Sequence, residues 1–162
     1  MKKLFLFGSL IISSSIYAAN IKSDQYLLGL VGQKAVEIED VSYSYPHSER
    51  LAVQGVSLRV EPGELVLCTG QSGCGKSTVI RILNGLAPHY LKGALHGSAY
   101  VSGTCTRKIA PADLALSVGS LFQEPERQFF ALTVGDEIAF SLQWRGWSPA
   151  RVAKEVEASA ER

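Results

Sequence analysis

Methionine occurs once in this chain, at Met1, and histidine three times. Cysteine is equally scarce: Cys68, Cys74 and Cys105 form an odd set with no CxxC pair, which excludes a disulfide framework and a cysteine-built zinc site. No charge of one sign predominates. Sixteen basic and 15 acidic side chains leave a net +1, too little for a nucleic-acid binder that works through a broad basic field. No apolar run reaches the roughly 18–20 residues that a membrane span needs. Charged residues at 19% beside 46% hydrophobic ones argue against disorder, and 162 residues suit one domain with a sizeable core. Glycine is the exception to this scarcity. Its fifteen copies exceed average usage, so their positions carry information.

The basic residues are unevenly distributed. Residues 1–34 hold Lys2, Lys3, Lys22 and Lys34 and no arginine, whereas all eight arginines follow, which places a boundary near Lys34. Within the first segment, Lys2 and Lys3 precede a short apolar stretch, Leu4 to Ile12, and small residues around Ala18 and Ala19. This is the three-part arrangement of a secretory signal over residues 1–19. Residues 20–34 read as a linker, with one helical turn around Leu27–Val31. The alternative is an accidental apolar leader.

From residue 35 the periodicity becomes informative. Val36 to Tyr45 nearly alternates and predicts a strand with one wet face, and Val56, Leu58 and Val60 predict a second. Residues 46–50 and Glu61-Pro62-Gly63-Glu64 read as turns. Leu65 to Thr69 is a continuous apolar run and predicts a strand buried on both faces. Val79, Ile82, Leu83 and Leu86 have helical spacing over 77–86, with Gly85 and Pro88 as stops. Residues 93–103 are turn-rich, with a short strand expected near Ala99–Val101 and another over Val118–Phe122. Thr133 is placed to cap a helix containing Val134, Ile138 and Leu142, with Asp136 and Glu137 at its positive end. Ser148 and Pro149 open a last helix.

Gly70-Gln71-Ser72-Gly73-Cys74-Gly75-Lys76-Ser77 fits G-x-x-x-x-G-K-[ST] at every fixed position. Glycines let successive backbone N–H groups turn inward into an anion nest, and the following helix adds its unpaired N–H groups and positive dipole end. Lys76 supplies a point charge for the β- and γ-phosphates, the Ser77 hydroxyl is a Mg²⁺ ligand, and Thr78 adds a second hydroxyl. The apolar run before the loop and the helical spacing after it are the context that such a loop requires.

The flanks narrow the family. Val41-Ser42-Tyr43-Ser44-Tyr45-Pro46, Phe122-Gln123-Glu124-Pro125-Glu126-Arg127-Gln128-Phe129-Phe130 and Thr133 to Phe140 together resemble the ATP-binding subunits of ABC transporters over residues 35–162. Among these they look most like the energy-coupling-factor group, which drives uptake of vitamins and transition-metal ions. The resemblance implies an α/β fold: a P-loop NTPase core of the ABC ATPase kind with an antiparallel β subdomain, incomplete at the C-terminal end. It implies ATP and Mg²⁺ as ligands. Tyr45 would stack on adenine, with Tyr43 as second choice. Gln123 would contact Mg²⁺ and the attacking water. The segment after Gln123 would dock transmembrane importer subunits, with Phe129, Phe130 and Trp144 as apolar contacts or as core. A second ATP-binding subunit would complete a dimer at the cytoplasmic face of the membrane. The transported substrate is not readable, because in this family a membrane partner selects it.

Several motifs of that family do not occur between Met1 and Arg162: the Leu-Ser-Gly-Gly-Gln-type signature, an apolar strand ending in Asp-Glu, and a switch histidine. His47, His89 and His96 all precede Gln123 and read as surface or turn residues. The chain therefore resembles the N-terminal half of an ATPase domain, and Leu65–Thr69 would lack sheet neighbours and leave apolar surface open. A secretory leader also conflicts with a cytoplasmic ATPase. A truncated or chimeric product that only docks a membrane partner, or an exported relic, is the competing reading. With no residue to position a general base, these 162 residues are expected to show no appreciable ATP turnover. Mg²⁺-dependent hydrolysis that disappears in Lys76→Ala would contradict this.

Overall fold

A computed structural model describes residues 5–7, 10–12, 34–121 and 124–160. The chain divides into two compact units, residues 1–123 and 124–162. The first unit contains a four-stranded antiparallel sheet in the order β4-β3-β5-β6, from β3 (Val36–Ser44), β4 (Leu51–Val60), β5 (Ala94–Val101) and β6 (Thr104–Cys105). Helix α1 (Lys76–Leu83) packs on this sheet and is followed by the short α2 (Leu86–His89) and α3 (Pro111–Leu114). Val79, Ile80, Ile82 and Leu83 of α1 meet Val36, Ile38, Val41, Tyr43, Val60, Ala99 and Val101 of the sheet in one core.

A bulge gives the sheet its inner face. Side chains alternate in a regular strand, so Val36 and Ile38 cannot share a face with Val41 and Tyr43 unless one residue is inserted. All four are buried, and β3 shifts register against β4 between Ile38 and Val41 and against β5 between Glu39 and Ser42. At this level Asp40, Gly55 and Gly97 all have positive φ (46°, 58° and 77°). Gly97 lets β5 cross the bulge, because a Cβ there would run into the carbonyl oxygens of Glu39 and Asp40. Hence β5 extends back to Ala94 instead of beginning near Ala99, and Ser102-Gly103, both with positive φ, turn it into β6.

The expected turn at 46–50 joins β3 to β4, and Glu64 N–H bonds to the Glu61 carbonyl in the predicted turn after β4. The two-faced burial of Leu65–Thr69 is not observed. Among the described residues no strand pairs with this segment, and Leu65 and Leu67 are 58% and 76% exposed. Val66 and Cys68 alone pack against the core. The run is apolar enough for a central strand, but burial on both faces requires neighbours on both sides. The expected open apolar surface is therefore present, and these two leucines forgo most of the roughly 1.5–3 kcal/mol that full burial brings.

A second, small sheet pairs β1 (Phe5–Phe7), β2 (Leu10–Ile12) and β7 (Gly119–Ser120), with Leu10 opposite Ser120. Parts of the expected leader thus form strands; its cleavage region and the linker turn at Leu27–Val31 lie outside the described residues. The second unit holds a 3₁₀ turn at Pro125–Gln128 and helices α4 (Val134–Trp144) and α5 (Pro149–Ala160). Thr133 caps α4 as expected, accepting from Asp136 N–H at 3.1 Å.

The bulge makes a testable demand. Gly63 also has positive φ but open space around it. Gly63→Ala is expected to cost about 1–2 kcal/mol for the left-handed backbone alone, and Gly97→Ala measurably more in denaturant unfolding. Equal losses would contradict the close crossing.

Candidate functional site

The phosphate loop leaves the 65–69 segment and enters α1 through three glycines with positive φ: Gly70 (151°), Gly73 (79°) and Gly75 (98°). Gly75 is the N-cap of α1 and needs glycine twice over. Its backbone is left-handed, and a Cβ would stand 2.5 Å from the Ala52 carbonyl oxygen and 2.7 Å from Val53 Cγ1. The loop is thereby seated on β4. Helical bonding begins with Thr78 and Val79 N–H, at 2.9 and 3.0 Å from the Gly75 carbonyl. The N–H groups of Lys76 and Ser77 are first-turn donors aimed at the loop, which is what an anion site at a helix start requires.

Lys76 reaches back across the loop, its Nζ donating to the Gly70 and Gln71 carbonyls at 2.8 Å each and lying 3.5 Å from Cys74 Sγ. Gln71, Ser72, Gly73, Cys74 and Ser77 are exposed around it. The arrangement brings the Lys76 ammonium, first-turn N–H groups and the Ser77 hydroxyl to one place. That donor set suits a triphosphate with Mg²⁺. This ion usually keeps its waters and phosphate oxygens and takes few protein ligands. Among the described residues there is no cluster of three or more histidine, cysteine, aspartate or glutamate side chains that would hold a metal by itself.

Thr78 is placed differently from expectation. It is 5% exposed, and its hydroxyl lies 3.1 Å from that of Tyr45 instead of facing the open loop. Tyr43, the second choice for stacking, is fully buried, so its ring faces cannot receive a base. Its hydroxyl donates to the Leu91 carbonyl at 2.5 Å, and burial raises its phenol above the usual range, keeping the donor protonated. Tyr45 is half-buried. Its ring meets Tyr43 edge-on at 5.0 Å and 87°, and its hydroxyl accepts from Arg81 at 2.8 Å. Arg81 carried no local signal in the sequence; only the tertiary approach of α1 to the end of β3 reveals it. Gln123 lies outside the described residues.

In the second unit Phe129, Phe130 and Trp144 are exposed at 65%, 83% and 57%, so none belongs to the core. Phe130 stacks on Phe140 at 5.9 Å, and Glu137 accepts from Phe130 and Ala131 N–H at 2.9 Å each, holding the approach to α4. Among the described residues no helix is long and apolar enough to cross a membrane.

The exposed Cys74 gives the loop a chemical handle. Cys68 and Cys105 are less accessible, and the Cys74 sulfur sits beside Lys76 and would touch a Cβ on Gly70 at 2.8 Å. A thiol alkylating agent is expected to modify Cys74 first and abolish ATP binding, with Mg²⁺–ATP slowing the reaction. Unchanged ATP affinity after complete modification of Cys74 would refute this placement.

Comparison with known proteins agrees with this geometry. Residues 53–162 match the family described as ABC transporter. An ABC transporter ATP-binding protein of Methanosarcina acetivorans is 40% identical over 126 residues, 78% of this chain and 20% of that protein. One from Pyrococcus horikoshii is 41% identical over 108 residues, 67% of this chain and 38% of that protein. One from Treponema denticola is 36% identical over 122 residues, 75% and 25% respectively. The chain thus spans between a fifth and two fifths of these relatives. With the loop, its helix, β5, β6 and most of β4 falling in the matched region, the chain belongs to the ABC transporter ATP-binding family and has its α/β P-loop architecture.

Proposed function

We propose that this chain binds ATP with Mg²⁺ as part of an ABC importer of the energy-coupling-factor type. The observation that carries this reading is the phosphate loop: Lys76 spans a glycine-bent loop seated at the start of α1. The triphosphate would lie on the first-turn N–H groups with Lys76 on its β- and γ-phosphates, and Ser77 would ligate the ion. Tyr45 would be the platform for adenine, and Gln123 would meet the ion and the attacking water.

The remaining assignments rest on the resemblance of residues 122–140 to the group. A second ATP-binding subunit would complete the nucleotide sites. The exposed aromatic cluster of Phe129, Phe130, Phe140 and Trp144 supports docking of a transmembrane partner, since large exposed apolar side chains in one unit mark interaction surfaces. The partner would select the cargo, a vitamin or a transition-metal ion, and the complex would lie at the cytoplasmic face of the membrane. The same cluster also serves the competing reading, an ATPase-derived module that docks without catalysis. ATP binding separates the two.

Equilibrium binding of a non-hydrolysable ATP analogue with Mg²⁺ is the direct test. Removing a charged hydrogen bond to phosphate costs about 1.5–3 kcal/mol, so Lys76→Ala is expected to weaken binding about ten- to hundredfold. Among the described residues Lys76 hydrogen-bonds loop carbonyls and Cys74 alone, so thermal stability should change little. An unaltered affinity in Lys76→Ala, or no binding by the parent chain, would refute the proposal.

A further inference from the structure

Tyr45 follows the last residue of β3, where a side chain at a strand end is ordinarily free to turn. Here one neighbour meets the ring and two meet its hydroxyl. Tyr43 meets it edge-on at 5.0 Å, Arg81 donates to its hydroxyl at 2.8 Å, and the Thr78 hydroxyl lies 3.1 Å away. Tyr43 is itself fully buried with its hydroxyl on the Leu91 carbonyl. Thr78 and Arg81 stand on consecutive turns of α1, the helix that begins with Lys76 and Ser77. The hydroxyl of the aromatic ring is therefore bonded to the same rigid element that carries the phosphate site.

We infer that Arg81, with Thr78, is a positioning residue that locks the Tyr45 ring at a fixed distance from the phosphate loop and so sets recognition of the purine base. The inference rests on the reading of Tyr45 as the base platform. Stacking needs only a flat π face, and a phenylalanine has one. What the hydroxyl adds is preorganisation: the ring is ordered before the base arrives, so binding does not spend affinity on immobilising it. The guanidinium suits this task because its planar, preorganised fork loses little freedom in holding a bond to the phenol oxygen. Arg81 touches neither phosphate nor metal in this scheme. Its loss should affect the base and leave the phosphates alone.

The test compares two ligands, Mg²⁺–ATP and Mg²⁺–tripolyphosphate, on the full chain. Tyr45→Phe keeps the ring and removes the hydroxyl; Arg81→Met keeps the stem and removes the donor; Arg81→Lys restores a donor. Tyr45→Phe and Arg81→Met are each expected to weaken ATP binding about three- to tenfold, from the usual cost of immobilising one side chain. The double variant should lose no more than Tyr45→Phe alone, which already breaks the bond to Arg81 along with the contact to Thr78. Tripolyphosphate affinity should stay within about twofold, and Arg81→Lys should recover part of the loss. If Arg81→Met binds ATP like the parent while Tyr45→Ala does not, the tether is wrong and the platform stands. If Tyr45→Ala binds ATP like the parent, the platform reading falls and the tether with it. Equal loss of ATP and tripolyphosphate in Arg81→Met would place Arg81 in support of the loop or fold instead, and would overturn the inference.

Discussion

Gly75 has no room for a side chain, and the site depends on that contact. A Cβ would press on the Ala52 carbonyl and on Val53, so the loop backbone lies directly against β4 at the point where α1 begins. Close approach fixes the first turn of the helix relative to the sheet, and the left-handed φ of 98° turns the preceding residues back over it. Lys76 and Ser77 inherit their positions from this seating. The interior of α1, buried through Val79, Ile80, Ile82 and Leu83, resists any sliding that would move them.

The bulge in β3 performs the matching task on the other side of the core. Without an inserted residue at Asp40, Tyr43 would turn to the wet face, and Tyr45, which follows the end of the strand, would lose its edge-on contact with the Tyr43 ring. The insertion brings Tyr43 under the sheet and delivers Tyr45 to the edge where α1 passes. The phosphate loop and the tyrosine therefore approach each other through two local deviations, a left-handed glycine in one connection and a bulge in a strand, on a framework that is otherwise regular.

Local chemistry was legible in the sequence and long-range placement was not. The loop follows from its fixed glycines and Lys76, the body of α1 from the spacing of Val79, Ile82 and Leu83, and the caps and turns from Thr133, Pro62 and Gly63; Leu86, read into the same helix, instead opens α2, which contains Pro88. Each depends on residues within one or two turns. The phase change at Asp40 shows in the sequence only as two consecutive polar residues, Glu39 and Asp40, and Val36 to Tyr45 still nearly alternates when read without its partners. The length of β5 was hidden by Gly97, which reads as a turn residue until the crossing with Glu39 and Asp40 is seen. The bond from Arg81 to Tyr45 spans 36 residues, and no periodicity reports such a contact. Leu65–Thr69 failed for a related reason: composition reports how apolar a segment is, and burial depends on what stands beside it.

That last difference shapes the loop itself. Its C-terminal half is held twice, by Gly75 against β4 and by the buried face of α1. Its N-terminal half hangs from a segment whose Val66 and Cys68 touch the core while Leu65 and Leu67 face outward. Local stability follows the density of buried apolar contacts, so constraint rises along the loop from Thr69 to Thr78. The Lys76 ammonium bridges the two halves, bonding to Gly70 and Gln71 from the constrained side. Charge on phosphate competes with those same carbonyls for Lys76. Occupying the site therefore means exchanging an internal bridge between the halves for one that runs through the ligand, with the firmly seated half as the fixed side of the exchange.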